Sequence, residues 1–377
     1  MKKIRLGMIG GGEGSFIGAV HRKAAALDGH YDLMCGAFSS DPATSRRSGE
    51  LLNLAPERVY GSYTELLVTE ASLPPGERMQ AVAIVTPNHL HAGPVLLALQ
   101  HGFHVIVDKP LALTLLQARQ IAEALKGSTC KLTVTHTYAG YPMIKEARHR
   151  VASGQLGRIR KIFVEYPQGW LSTALENQQH KQASWRTNPG QAGAGAVGDI
   201  GTHAAHLAEY VSGLHITEVC AELNSVVPGR QVDDDASALL HFEGGASGVL
   251  IATQVAAGEE NNVRLRVYGE LGGLEWSHQH NNALIIKLAG QPEQVVRSGM
   301  SCLCAAASLA TRLPAGHPEG FIEAFANIYS AFALDLLECA SADHDYPSIE
   351  DGVRGMAFIE AMQRSSTSAQ KWTAIEV

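Results

Sequence analysis

Apolar positions in the first third of the chain form short unbroken runs separated by helical spacing. Ile4 to Ile9, Tyr31 to Phe38, Ala81 to Val85, His104 to Val107 and Leu132 to Thr135 are such runs. A continuous apolar run of this length suits a parallel strand covered on both faces. The run at Leu132 is expected as a sixth strand. An amphipathic helix follows the first run through Leu27, and Asp41-Pro42 opens another with Pro in its first turn. Repeated strand–helix units predict a doubly wound parallel sheet over residues 1–135.

The pattern changes after residue 136. Tyr141 to Ser153 has helical spacing and stops at Gly154 and Gly157. Arg158 to Tyr166 reads as a strand. From Pro167 to Gly198 the periodicity dissolves into a long polar loop, which ends in small residues and feeds a helix from about Gly201 to Val211. Strands are expected at Ile216 to Val227, Ala236 to Phe242, Ala246 to Val255, Val263 to Tyr268, Leu274 to Trp276, Leu284 to Leu288 and Gln294 to Arg297. Turn residues such as Gly244-Gly245 separate them, so this half predicts a large, mainly antiparallel open sheet. A helix is expected from Phe321 to about Cys339. The 377 residues therefore read as two domains, 1–135 and 136–377.

Composition narrows the function. Apolar residues make up 45% and charged residues 18%, ordinary for a globular protein. A net charge of −7 gives no basic footprint for nucleic acid and no polybasic membrane patch. No apolar run approaches the roughly 20 residues of a membrane helix. The opening Met1 to Ile9 is interrupted by Arg5 and lacks a secretory cleavage site, so it reads as a strand. Six scattered cysteines suggest reduced thiols in a cytoplasmic protein. Cys302 and Cys304 lack neighbours that would complete a metal set, and Asp233-Asp234-Asp235 reads as a charged loop before a strand.

The candidate chemistry sits at the ends of the predicted strands. Gly10 and Gly12 follow the first strand, where glycines let backbone amides approach a pyrophosphate at a helix N-terminus. Position 15 is serine, so the third glycine role passes to Gly18 in a longer turn. After the second strand come Ser39 and Ser40, with Arg46 and Arg47 beyond. A carboxylate there would select NAD; serines with arginines could accept the phosphate of NADP, and Asp41 could still reach the ribose. NAD and NADP both stay open. Thr86-Pro87-Asn88-His89-Leu90-His91 and Asp108-Lys109-Pro110 follow the third and fourth runs, where ligands bind in such sheets. Lys109 could hydrogen-bond a substrate hydroxyl there.

In the second half, Asp199 and His203 are four residues apart at a helix start, and so share a face. They read either as a proton-transfer pair or as a helix cap beside a core histidine. Trp185 and Arg186 could cover a cofactor, stack on a sugar face, or anchor their loop. Tyr138 and Tyr141 are candidates for substrate contacts. His317 either lines a substrate pocket or starts a helix.

These motifs resemble the glucose–fructose oxidoreductase / inositol dehydrogenase (Gfo/Idh/MocA) family. The matching residues are the glycine turn with Gly18-x-x-His21, Thr86-Pro87-Asn88-x-x-His91, Asp108-Lys109-Pro110 and Gly198-Asp199-x-x-x-His203. They lie in the family's order and spacing over nearly the whole chain. The family's usual Glu-Lys-Pro is Asp108-Lys109-Pro110 here, its acidic residue after the second strand is Ser39, and an aspartate common after the catalytic histidine is His206.

The resemblance implies a Rossmann domain followed by an α+β domain, and a catalytic trio of Lys109, Asp199 and His203. It implies NAD or NADP held by Gly10, Gly12, Gly18, Ser39, Ser40, Thr86, Asn88, His91, Asp108, Lys109 and Arg186. Substrate contacts fall to Lys109, Tyr138, Asp199, His203 and His317, with no metal. The implied activity is hydride transfer from a secondary hydroxyl of a sugar, glycoside or cyclitol, C3 of a pyranose being one position. A homo-oligomer, dimer or tetramer, is implied. The alternative is a redox-assisted glycosidase or eliminase that retains NAD without net turnover. A non-catalytic dinucleotide sensor is disfavoured by the retained trio.

Overall fold

A computed structural model describes residues 3–178, 180–339 and 345–377. The chain divides into two compact units: Met1–Thr137 with Phe325–Val353, and Tyr138–Ala324 with Arg354–Val377.

In the first unit, β1 (Ile4–Gly10), β2 (Tyr31–Ala37), β3 (Ala81–Val85), β4 (His104–Val107) and β5 (Leu132–Val134) form a parallel sheet in the order β2-β1-β3-β4-β5. Every residue of central β3 is buried, which is why its sequence is an unbroken apolar run. The connecting helices are α1 (Phe16–Leu27), α2 (Pro42–Leu51), α3 (Tyr63–Ser72), α4 (Ala92–Gln100) and α5 (Leu115–Lys126). Ser15, Asp41, Ser62 and Thr114 cap α1, α2, α3 and α5 by accepting a first-turn amide. Each such cap is worth about 1 kcal/mol. The strand at Leu132 is the fifth rather than a sixth. Beyond β2 the pairing is limited to a single parallel bridge between Gly36 and Val59.

In the second unit, α6 (Pro142–Ala152) and β6 (Ile159–Pro167) are followed by short helices α7 (Lys181–Arg186) and α8 (Pro189–Ala192). A π-turn at Val197–Gly201 leads into α9 (Thr202–Ser212). Gly213 closes α9 in the left-handed region, at φ 67°, and its amide returns to the Glu209 carbonyl. The second sheet adds β7 (Ile216–Asn224), β8 (Asp235–Phe242), β9 (Ser247–Thr253), β10 (Arg264–Gly269), β11 (Gly272–Ser277), β12 (Ala283–Leu288) and β13 (Gln294–Arg297). The chain ends with α10 (Ala305–Leu309), α11 (Phe321–Leu336), α12 (Ile349–Thr367) and β14 (Thr373–Ala374). The sheet order is β13-β12-β11-β10-β6-β9-β8-β7-β14. Its pairs are antiparallel except β6 with β9. Alternation is clear in β8, where Ala236, Ala238, Leu240 and Phe242 are buried.

A further expectation is corrected. The stretch from Pro167 to Gly198 is not structureless. His180 caps α7 by taking the Ala183 amide, and Asn188 caps α8 by taking that of Gly190. Asp233 accepts the amides of Gly195 and Val197 at 2.8 and 2.7 Å, and pins the small-residue segment that leads to Asp199. Gly195 has to be glycine, because a Cβ there would lie 1.7 Å from the Asp233 carbonyl oxygen. At the C-terminus, α12 and β14 add a helix and an edge strand that the periodicity does not mark.

Candidate active site

The first unit brings its motifs to the carboxyl ends of β1 to β4. Gly10 and Gly11 have φ of 79° and 73°, so the turn after β1 uses the left-handed region. A Cβ on Gly18 would lie 2.3 Å from the Gly11 Cα, so α1 packs directly on the turn at that glycine. Ser15 accepts the Gly18 amide, and the amides of Phe16 and Ile17 start the helix. This is the anion-binding end of a helix.

At the end of β2, Ser39 is half-buried and accepts the Asp41 amide at 3.1 Å; Ser40 is exposed. Asp41 is committed to α2, taking the Thr44 amide and hydroxyl, which hold its carboxyl below the usual range. Arg47 pairs with Glu13 of the glycine turn at 3.0 Å.

The loops after β3 and β4 are tied together. Thr86 donates its hydroxyl to the Leu90 carbonyl, and Asn88 is buried. The Asp108 carboxylate accepts the Lys109 amide at 2.9 Å and the Thr135 hydroxyl at 3.0 Å. His91 is fully buried, with Nδ1 2.8 Å from the Pro110 carbonyl and Nε2 2.8 Å from that of Thr86. Its ring thus contacts backbone of both loops.

In the second unit Asp199 lies in the π-turn, a helix irregularity often found at functional sites. Gln254 donates to its Oδ2 at 2.9 Å, and Arg186 Nε is 3.3 Å from the same oxygen. The Arg186 guanidinium lies 4.2 Å from the Trp185 ring centroid and also donates to Gln182. Arg186 therefore lies over the Trp185 ring while its Nε faces Asp199. His203, four residues on, is largely buried and meets Tyr138 edge-on at 5.1 Å.

Tyr138 itself is buried and engaged. Its hydroxyl donates to that of Tyr166 at 2.5 Å, Tyr166 donates to Asn261 at 2.6 Å, and the Asn261 amide returns to Tyr138 at 3.2 Å. Burial pushes the Tyr138 phenol up to about 12, against those hydrogen bonds. Gln168 donates to Asn261 and accepts from Trp170, extending this polar chain. Tyr141 bonds His278 at 2.9 Å. His317 is exposed and donates to the Pro314 carbonyl at 3.1 Å.

The Asp233 and Asp234 carboxylates brace loops. Asp234 takes the Val226 and Val227 amides and Arg230. Among the described residues no His/Cys/Asp/Glu cluster is arranged to hold a metal, and no helix is long and apolar enough to cross a membrane. Gln254 is the residue that sequence reasoning overlooked. It follows Gly248, Leu250 and Ala252 on the buried side of β9, and a polar side chain at that beat of the alternation is its signal.

Comparison with known proteins identifies the family. Residues 4–136 match the oxidoreductase family with an NAD-binding Rossmann fold, and residues 144–275 match the GFO/IDH/MocA C-terminal domain. An uncharacterized oxidoreductase of Bacillus subtilis is 31% identical over 98% of this chain and 96% of its own. The crystal structure of an oxidoreductase from Sinorhizobium meliloti shares 43% identity over 99% of both chains, with a TM-score of 0.90. An inositol dehydrogenase homolog from Azotobacter vinelandii, complexed with NADH and myo-inositol, is 35% identical over 99% of this chain and 98% of its own, with a TM-score of 0.91. With both halves matched and full-length relatives above 30% identity, the chain belongs to the GFO/IDH/MocA family of NAD-binding Rossmann-fold oxidoreductases.

Proposed function

We propose that this protein is an NAD-dependent dehydrogenase that oxidises a secondary hydroxyl of a cyclitol or sugar. The observation that carries the reading is the Asp199 carboxylate, held by Gln254 and Arg186 on the turn that leads into His203. An imidazole next along a helix from a fixed carboxylate is suited to general-base work, because the carboxylate favours the imidazolium that forms. In this mechanism His203 takes the hydroxyl proton. The Lys109 ammonium hydrogen-bonds the same oxygen and stabilises its growing negative charge. NAD bound by the first unit would supply the acceptor for the hydride that leaves the carbinol carbon.

The glycine turn fits such a cofactor. A Cβ on Gly10, Gly11 or Gly12 would collide with Thr86, Val85 or Phe38, so the turn leaves only backbone to face a pyrophosphate. Gly10, Gly12, Gly18 and the first amides of α1 would hold the pyrophosphate, with Ser39 and Ser40 at the ribose. Thr86, Asn88, Asp108 and Lys109 border the nicotinamide end. We favour NAD over NADP because Arg47 is paired with Glu13 and Asp41 adds a second carboxylate beside it. The myo-inositol complex of the Azotobacter relative supports a cyclitol-like substrate. Arg186 then acts through Asp199, and His91 through the loops it joins, while Tyr138 supports the His203 ring. His317 belongs to the turn before α11. The reading includes a homo-oligomer, dimer or tetramer, in the cytoplasm, in keeping with six free cysteines.

The test is a paired assay. Protein is incubated with NAD or NADP and a panel of inositols, hexoses and aryl glycosides, and both cofactor reduction and aglycone release are followed. NADH accumulation with an inositol or sugar is expected, falling by at least about 100-fold in kcat in His203→Ala with NAD affinity retained. Aglycone release without net reduction overturns the dehydrogenase in favour of redox-neutral elimination. Equal loss of NAD binding and turnover in His203→Ala removes the base role.

A further inference from the structure

We propose that His91 is a doubly protonated clamp, an imidazolium whose two N–H groups hold the loop after β3 to the loop after β4 and so position Lys109. The inference rests on the reading of Lys109 as the group that meets the substrate oxygen. It begins with donor and acceptor arithmetic. Both ring nitrogens lie 2.8 Å from backbone carbonyl oxygens, those of Pro110 and Thr86. A carbonyl oxygen only accepts, and a neutral imidazole carries a single N–H. The neutral ring would aim a nitrogen lone pair at a carbonyl lone pair at hydrogen-bond distance. Only the imidazolium satisfies both contacts. The ring has no exposed surface, so water cannot substitute for the missing donor.

A buried cation needs a counter-charge. The Asp108 carboxylate supplies it, and its own position is fixed by the Lys109 amide and the Thr135 hydroxyl. Lys109 and His21 are the other charged or titratable groups that act on the ring. His21 is held neutral, its pKa pulled down to about 4 by burial, so it adds no competing charge. Burial, with the Lys109 ammonium, holds the His91 pKa below its ordinary value, although Asp108 and the two carbonyls push it up. Against that direction stands the hydrogen-bond geometry, in which two carbonyl acceptors at 2.8 Å are met only by two N–H groups.

The functional consequence follows from connectivity. Pro110 is bonded to Lys109, and Thr86 lies two residues before Asn88. One ring therefore sets the spacing of the two segments that border the nicotinamide end. Loss of its second proton as the pH rises frees one of them. His91 is a positioning residue: it touches the loops and acts through Lys109.

The experiment uses full-length protein labelled with 15N in histidine, with NAD present and absent. Ring-nitrogen NMR is expected to show, at pH 7, one histidine with both nitrogens protonated and shielded from exchange. That signal disappears in His91→Asn. A His91 with one bare nitrogen at pH 7 overturns the clamp. Steady-state kinetics supply the second readout. His91→Asn is expected to lose about tenfold in kcat, the worth of one charge-assisted hydrogen bond, and with it the wild-type fall in rate at alkaline pH. His91→Gln, whose amide can still donate to one carbonyl, is expected to recover part of that rate. Unchanged kcat and an unchanged pH profile in His91→Asn also refute the proposal. Where the variants fold poorly, the wild-type NMR result decides alone. A neutral ring leaves the dehydrogenase reading standing, and failure of the substrate panel leaves the protonation result untouched.

Discussion

Replacement of His21 by glutamine should flatten the acid limb of stability. His21 is fully buried in α1, with Nδ1 2.7 Å from the Tyr329 hydroxyl and its ring against Phe325 and Tyr329. Burial, with smaller contributions from Arg22 and His91, lowers its pKa from 6.5 to about 4, against the Asp108 carboxylate. The unfolded chain binds this proton at pH 6.5 and the folded chain only near 4. Stability from the neutral ring is therefore complete above 6.5, falls as pH drops through this window, and is gone below about 4. Between pH 6.5 and 5 the loss is about 2 kcal/mol, at roughly 1.4 kcal/mol per pH unit. Glutamine preserves a hydrogen-bonding partner for Tyr329 and does not titrate. The assay is urea unfolding of wild type and His21→Gln at pH 7.5 and pH 5, followed by a probe in the first unit. Wild type should lose about 2 kcal/mol more than the variant across that interval. Parallel losses in both proteins would show that the ring is already charged in the fold, and the argument fails.

Two further outcomes probe the second unit. Gln254→Leu removes the donor to Asp199 and should lower kcat by about 10- to 100-fold, the equivalent of one hydrogen bond to a charged group, while NAD affinity stays the same; an unchanged kcat means Arg186 alone suffices. Arg230→Met should destabilise this unit by about 3–5 kcal/mol in denaturant unfolding, since the buried guanidinium bridges Asp234 and Glu176 and also donates to the Leu171 and Thr173 carbonyls; a loss below about 1 kcal/mol contradicts that account.

The first unit was legible because doubly covered strands leave unbroken apolar runs. β3 and β4 begin and end where the runs do. The edge was harder to read: a single bridge at Val59 replaces a full strand, and no periodicity marks one residue. Most sheet strands of the second unit were equally visible, since strands such as β8 and β9 bury one face and alternate, whereas the two-residue β14 leaves no pattern. The segment between β6 and α9 was not, because its short helices are held by distant groups. Arg230 reaches Glu176, and Asp233 pins Gly195 and Val197. Such contacts leave no local pattern. The π-turn at Asp199 was invisible for a similar reason: four-residue spacing describes an α-helix, and an inserted residue does not change composition. Gln254 could have been found, since it interrupts the buried side of an otherwise apolar strand.

The two units fix their reactive groups by different physical means. In the first, the groups proposed to border the nicotinamide end are set by main chain. His91 bonds carbonyls, Asp108 bonds an amide, and the glycine turn admits only backbone. Side-chain identity at the loop tips matters little to that geometry, so the motifs read clearly as short local strings. In the second, Asp199 is set by side chains that arrive from α7 and from Gln254 just past β9, and His203 leans on a closed ring of hydroxyls and amides formed by Tyr138, Tyr166 and Asn261. Those partners are dispersed over more than a hundred positions of sequence. A cofactor common to the family's Rossmann fold calls for the first arrangement. A substrate that differs from one member to another calls for the second, because side chains can be exchanged without rebuilding the backbone that carries Asp199.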